Sequence, residues 1–376
     1  MHQPGKHRIA VVSTNSRRCR RIAAAASIFY DIVVLGDPIR APAALAARLP
    51  DVLLVDAQLP IRGGGIDFLL AVRRTPALAE LPAILITGPE GGGRTATALG
   101  EGPVLVVTEP FGRGALVKAV SALINDEVCR RWACLPPVQR SALDGTLAAF
   151  NGIAEEIGNG QPVSYGPVEE ACRSVVAAIN DRQYRALLDA VRDHDDYTYA
   201  HSVRVATLLA LFGKTIGLTE DDMLLMASGG LVHDIGKVAI SRELLNKPGV
   251  LSAAEMEVMR GHVDATTRIL KAGTRIPKGV IAIAANHHEK LDGSGYPRGL
   301  KAAQLDELAR MSAIVDVFSA MTDRRPYKRA MDAQEAFRVI IDSMGRELDT
   351  HLLALFRDVL LENPGASPVR DGKAVR

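Results

Sequence analysis

Five short apolar runs punctuate the first third of the chain and then stop. They read "RIAVVS" from residue 8, "DIVVLG" from 31, "DVLLVDA" from 51, "LPAILITG" from 81 and "PVLVVTEP" from 103, with amphipathic segments of helical period between them. A strand that is apolar on both faces needs cover on both faces, and strands joined through helices pair in parallel. The expectation for residues 1–125 is therefore an α/β, doubly wound parallel sheet. Ligands of such sheets gather at the carboxyl ends of the strands, which is where Asp56, Thr87 and Glu109 fall.

Beyond residue 125 the sheet pattern ends. Residues 126–166 mix helical periods with Pro and Gly breaks and read as an interdomain helical linker, whereas 167–376 is almost wholly of helical period and reads as an all-α domain. A chain of 376 residues is long enough for two domains that each bury a core, so a regulator joined to an effector is a natural division. With 45 basic and 43 acidic residues the formal charge is only +2, which argues against wholesale binding to nucleic acid or to an anionic membrane. The cysteines Cys19, Cys129, Cys134 and Cys172 form no CxxC pair and read as reduced thiols. No apolar run approaches the roughly 20 residues of a membrane span, so a cytoplasmic protein is expected.

The first domain resembles a response-regulator receiver. "LLVDAQLP" puts Asp56 at the phospho-acceptor position and "ILITG" puts Thr87 at the switch hydroxyl. Two parts of the resemblance are missing. Where a receiver carries an acidic pair to hold Mg²⁺ this chain reads "VSTNS", and where it carries a lysine this chain has Glu109, a carboxylate that repels a phosphoryl group. Asp56 then reads as a polar strand end in a degenerate receiver.

In the helical half His201, His233, His262, His287 and His288 lie where helix faces converge, together with Asp234 and Asp316. A lone histidine on an apolar face is usually a core residue, but five with two acids suggest metal. In "LVHDIGK" an imidazole and a carboxylate end an apolar helix side by side. Asp234 has two oxygens and can bridge two cations about 4 Å apart, His233 can bind one of them, and Lys237 one turn on can reach a phosphate.

Five segments, "HSVRVA", "LVHDIGKVAI", "LLNKPGVLSAAE", "HHEKLDGSGYPRGL" and "DVFSAMTDRRPYK", resemble in order and spacing the HD-GYP family of cyclic di-GMP phosphodiesterases. The resemblance implies two divalent ions, iron or manganese, one held by His201, His233, Asp234 and Asp316 and the other by Asp234, His262, His287 and His288. It implies catalytic roles for Asp234 and Lys237, and substrate contacts from Lys237, Tyr296, Arg325 and Lys328. The substrate would be cyclic di-GMP, with cyclic GMP-AMP and other cyclic dinucleotides open, and the products pGpG or GMP. Two departures stand out. Tyr197 occupies a position where some members have a third-metal glutamate, and Ser319 one where the family often has an aspartate, which suggests a lost hydrogen bond behind the metal ligands. The alternative is a catalytically weak cyclic-dinucleotide sensor that acts through a protein partner or as a homodimer.

Overall fold

The computed structural model describes residues 7–27, 30–89, 103–245, 247, 249–323 and 330–362. The chain forms two compact units that divide near residue 128.

In the first unit all five apolar runs are strands: β1 (Arg8–Val12), β2 (Asp31–Leu35), β3 (Val52–Asp56), β4 (Ala83–Thr87) and β5 (Val104–Thr108). They form one parallel sheet of order β2-β1-β3-β4-β5. The order explains the burial. Central β3 and β4 are buried at every position, while edge strands β2 and β5 are only partly covered. Alternate residues feed two cores: Ile9, Val11, Leu54 and Ile86 pack on one face, and Ala10, Val12, Leu53 and Leu85 on the other. Helix α1 (Ser16–Ala26) and the helix that follows β5 cover the first core, and α2 (Ala41–Ala47) and α3 (Gly64–Arg73) the second. Gly65 lets α3 start against β3, since a Cβ there would lie 2.2 Å from the Asp56 carbonyl oxygen.

The pocket at the strand ends is closed by ion pairs. Asp56 is 3% exposed; Ser13 Oγ donates to its Oδ2 at 2.7 Å and the Gln58 N–H to its Oδ1 at 2.8 Å. The buried Arg18 of α1 contacts both Asp56 and Glu109, and Arg21 reaches Glu109 at 3.1 Å. The sequence left Glu109 facing a phosphoryl site with no cation nearby; the fold supplies Arg18 from α1. Thr87 lies 3.2 Å from Thr108, hydroxyl to hydroxyl.

The second unit is helical. Helix α4 (Arg113–Trp132) carries the chain into it, followed by α5 (Pro137–Gly158), α6 (Tyr165–Asn180), α7 (Tyr184–Val191), α8 (Tyr197–Thr215) and α9 (Glu220–Val232). Then come the short α10 (Arg242–Leu245), α11 (Ala253–Ala272), α12 (Lys278–Asn286), α13 (Glu307–Thr322), α14 (Ala333–Met344) and α15 (Thr350–Glu362). The stretch 126–166 thus holds the end of α4 and all of α5, which packs along α6 inside this unit. Local chemistry marks the helix starts: Thr219 with Asp222 opens α9 and Ser252 with Glu255 opens α11 through reciprocal side-chain to backbone bonds. Helices α8 and α9 form the centre, and two adjacent glycines set their neighbours' distances. A Cβ at Gly230 would lie 2.7 Å from the Ala206 backbone of α8, and one at Gly229 would lie 2.5 Å from Ile283 of α12. Among the described residues no helix is long and apolar enough to cross a membrane.

Two outcomes follow from these contacts. Gly230→Ala must push α9 off α8 and is expected to destabilise the second unit by about 1 to 3 kcal/mol. Gly152→Ala in α5 meets nothing within 4 Å and is expected to be neutral or to stabilise by up to about 1 kcal/mol; denaturant unfolding of both variants makes the comparison. In the first unit, acetyl phosphate or beryllium fluoride is expected to leave Asp56 unmodified because both its oxygens are engaged. Intact-protein mass spectrometry reads this directly, and an adduct at Asp56 would mean that Arg18 yields the pocket.

Candidate metal centre

Five helices of the second unit deliver the seven residues to one place. His201 stands on the second turn of α8, His233 caps the C-terminus of α9, and Asp234 opens the 3-10 turn Ile235–Ala239. His262 lies within α11, His287 caps α12 with His288 next, and Asp316 is on α13. All but His288 are buried, each 5% exposed or less. The turn after Asp234 docks on α11 because Gly236 has no side chain: a Cβ there would lie 2.2 Å from the His262 carbonyl oxygen. Its N–H donates to Thr266 Oγ1 at 2.8 Å.

The imidazoles are fixed from behind. Nδ1 of His233, His262 and His287 lies 2.7, 2.6 and 2.9 Å from the carbonyl oxygens of Gly230, Met259 and Ala284, each three residues earlier in the chain. A carbonyl only accepts, so each Nδ1 carries the proton and each Nε2 lone pair faces inward when the ring is neutral. These three Nε2 atoms and Asp234 Oδ1 are buried without a hydrogen-bond partner. His262 Nε2 approaches Asp234 Oδ1 at 3.0 Å, and His233 Nε2 approaches Asp234 Oδ2 at 3.2 Å, but neither approach is aligned as a hydrogen bond. Buried polar atoms are rarely left so. A divalent cation fits this arrangement, in which inward lone pairs are presented by rings held from behind.

The candidate ligand atoms fall into two groups, His201 with His233 and Asp234, and His262 with His287 and His288, the atoms of each lying within 4.8 Å of one another. Asp316 sits between them, with Oδ1 2.9 Å from His201 Nε2 and 3.6 Å from His233 Nε2, and Oδ2 3.5 Å from His288 Nδ1. Asp234 Oδ1 is 3.8 Å from His287 Nε2. Burial opposes ionisation of both acids, but their cationic neighbours outweigh it. Lys237 and His233 hold Asp234, and the hydrogen bond from His201 with the nearby His233 and His288 holds Asp316, well below the usual carboxylate range. Burial pushes His288 down to about 4 and, helped by charge at His288 and His233, pushes His287 well below its ordinary value. Both stay neutral near pH 7, the form that ligates metal. Burial also disfavours charge on His233, yet Asp234 and Asp316 raise it, so a proton there and a metal ion compete for the same carboxylates.

Lys237, partly exposed, pairs with Asp234 Oδ2. The segment "HHEKLDGSGYP" folds back over the site. Asp292 Oδ1 accepts from Ser294 N–H at 2.9 Å and Oγ at 2.7 Å, Gly293 adopts φ +85°, and a Cβ at Gly295 would lie 2.4 Å from the Lys290 nitrogen. The Tyr296 N–H reaches the His288 carbonyl at 3.1 Å, and its ring lies 4.7 Å from that imidazole.

Several residues of the site were not singled out from the sequence. Buried Glu289 pins the loop by accepting the Arg298 and Leu300 N–H groups, each at 2.8 Å. Arg260, exposed on α11, stands with its guanidinium 5.2 Å from the centre of the Tyr296 ring. Asp323, at the end of α13, takes His201 Nδ1 at 2.7 Å and pairs with buried Arg204. Arg204 was within reach, because it lies three residues after His201 on one helix face; the other three depend on tertiary contacts. Tyr197 stacks on His201, ring centres 5.7 Å apart. Arg325 and Lys328 lie outside the described residues.

The HD domain family matches residues 185–352. The cyclic di-GMP phosphodiesterase response regulator RpfG of Xanthomonas campestris pv. campestris is 30% identical over 318 residues, 84% of this chain and 76% of that protein. A cyclic di-GMP phosphodiesterase of Pseudomonas aeruginosa is 39% identical over 46% of this chain and 41% of its own length. The 3'3'-cGAMP-specific phosphodiesterase 1 of Vibrio cholerae serotype O1 is 37% identical over 47% of this chain and 40% of its own. The chain thus spans less than half the length of the last two relatives. A solved HDG"Y"P protein from Bdellovibrio bacteriovorus, 16% identical, shares the fold with a TM-score of 0.50 over 68% of this chain and 88% of that one. With a parallel sheet of receiver order, a helical unit that gathers five histidines and two aspartates, and a response-regulator relative matched along most of its length, the chain belongs to the HD-GYP family of HD-domain proteins, in the form that carries a receiver-like first domain.

Proposed function

We propose that this chain hydrolyses cyclic dinucleotides with two divalent metal ions, cyclic di-GMP being the first substrate to test and cyclic GMP-AMP the second. The observation that carries this reading is the set of inward atoms, three Nε2 and one carboxylate oxygen, buried without hydrogen-bond partners. His201, His233, Asp234 and Asp316 would hold one ion, and Asp234, His262, His287 and His288 the other. Imidazole and carboxylate without thiolate suit iron or manganese. When bound, the ions supply Lewis acidity at phosphorus and ease the deprotonation of water.

The chain's own groups do the rest. Water adds to phosphorus, the bond from phosphorus to the leaving sugar oxygen breaks, and that oxygen takes up a proton, giving linear pGpG and, after a second cleavage, GMP. Lys237, held by its pair with Asp234, would stand beside the reacting phosphorus and answer the negative charge that grows there. Tyr296 offers a ring and a hydroxyl at the mouth, and burial raises that hydroxyl well above its ordinary pKa, so it remains a donor. Arg260 over Tyr296 gives a cation for a ligand phosphate, a role that Arg325 and Lys328 share in this reading.

The alternative is a sensor that binds the dinucleotide without turning it over. The closed Asp56 pocket favours it only in that the first unit then has no phosphorylation input. Product analysis by chromatography separates the two readings.

Asp234→Ala is expected to lose metal and turnover together, with a fall in rate beyond the roughly 100-fold that loss of an outer partner costs. Elemental analysis beside the rate decides it, and a variant with full metal content and near-normal rate removes the two-metal reading. Arg260→Ala is expected to keep its metals and to weaken dinucleotide binding about tenfold, a charge-assisted contact at an exposed site. Lys237→Ala is expected to bind normally and turn over slowly. Calorimetry with steady-state rates tells the two apart.

A further inference from the structure

One of the buried histidines of the centre is held differently from the others. His233, His262 and His287 give their Nδ1 protons to backbone carbonyls of their own segments, but the Nδ1 of His201 faces a carboxylate from another helix, Asp323 at 2.7 Å. The Asp323 side chain is 4% exposed, and neither of its oxygens is idle. Oδ2 takes His201, with Tyr197 Oη 3.4 Å away, and Oδ1 pairs with Arg204, itself 4% exposed. Arg204 Nη2 also donates to Thr322 Oγ1 at 3.0 Å, and that hydroxyl donates to the Phe318 carbonyl at 2.9 Å. The guanidinium is thereby tied to the end of α13. One turn earlier on the same helix the Ser319 hydroxyl is buried without a hydrogen-bond partner, so it does not support His201. On the far side of the ring, His201 Nε2 lies 2.9 Å from Asp316 Oδ1.

We propose that Asp323 is a positioning residue that makes His201 the most strongly donating imidazole of the centre, so that the His201, His233, Asp234 group binds its ion more tightly than the His262, His287, His288 group. A carboxylate behind an imidazole fixes the proton on Nδ1 and pushes electron density toward Nε2; a carbonyl fixes the proton but adds no charge. Arg204 pairs with the buried Asp323 carboxylate and holds it in place. The inference rests on the metal-centre part of the proposed function and is independent of the substrate. The aspartate that the sequence lacks at 319 is thus supplied one turn later, at 323.

The test is titration calorimetry of the full chain, stripped of metal, with Mn²⁺. The parent is expected to show two sites of unequal affinity. Asp323→Ala is expected to weaken the tighter site by about 10- to 100-fold and leave the other unchanged. Removing Asp323 leaves Arg204 buried and unpaired, so Asp323→Asn, which keeps an acceptor but drops the charge, serves as the second variant and is expected to weaken the same site by less. ¹⁵N-histidine spectra of the Zn²⁺-loaded parent and of Asp323→Asn add a readout that general loosening would not move: the His201 nitrogens shift and those of the carbonyl-held histidines stay. Unchanged affinities, or equal weakening of both sites, would overturn the proposal. A parent that takes up no Mn²⁺ overturns the metal centre and this inference with it, whereas two-site binding without cyclic-dinucleotide hydrolysis rejects only the substrate reading and leaves the role of Asp323 standing.

Discussion

The carboxylate of Asp234, 1% exposed at the meeting point of α9, α11 and α12, is the interaction on which the helical unit turns. A carboxylate withdrawn from water costs several kcal/mol even after local relaxation, and that cost must be met by charge and hydrogen bonds at short range. Here the compensation is incomplete. Lys237 and the neighbouring imidazoles keep Asp234 ionised, yet Oδ1 and three imidazole nitrogens face one another with no aligned hydrogen bond. A centre built for stability alone would have paired these atoms or replaced them with packed apolar groups. This one is arranged for cations.

Close helix packing makes that arrangement possible. Gly229 and Gly230 let α9 lie against α12 and α8, and Gly236 brings the turn after Asp234 onto the backbone of α11. Each contact serves the site as well as the core. Gly230 provides the carbonyl that orients His233, and His262 belongs to the stretch of α11 on which Gly236 rests. The helix ends matter for the same reason: His233 and His287 are cap residues, placed where the chain leaves a buried helix and the side chain can turn inward while Nδ1 bonds to the last turn.

The two units treat buried charge in opposite ways. In the first, Asp56 is fully engaged by Ser13, Gln58 and Arg18, and Glu109 by Arg18 and Arg21, so the pocket at the strand ends is satisfied from within. In the second, acceptor atoms of Asp234 and three histidines remain without partners. Buried carboxylates therefore lie in a closed pocket in one unit and in a centre suited to cations in the other. Asp56 and Glu109 are met by the Arg18 guanidinium, whereas Asp234 and Asp316 are faced mainly by imidazoles.

Much of this was legible in the sequence. Burial on both faces fixes the five strands, because an uninterrupted apolar run between amphipathic helices has no other low-cost place, and the spacing of histidines and acids marked the residues that the fold gathers. Ordered local chemistry was readable too, as in the Asp-Gly-Ser-Gly turn that carries Tyr296 back toward His288. The sequence could not show which distant side chains complete a charge. Arg18 closes the Asp56 pocket from another element, Asp323 lies 122 positions from His201, and Arg260 meets Tyr296 only once α11 and the loop are packed. Periodicity and motif order are properties of neighbours along the chain, so they determined the elements and pointed to the histidines and aspartates that the fold gathers; the pairing of buried charges depends on distances of a few Å between remote segments, and only the tertiary structure decided it.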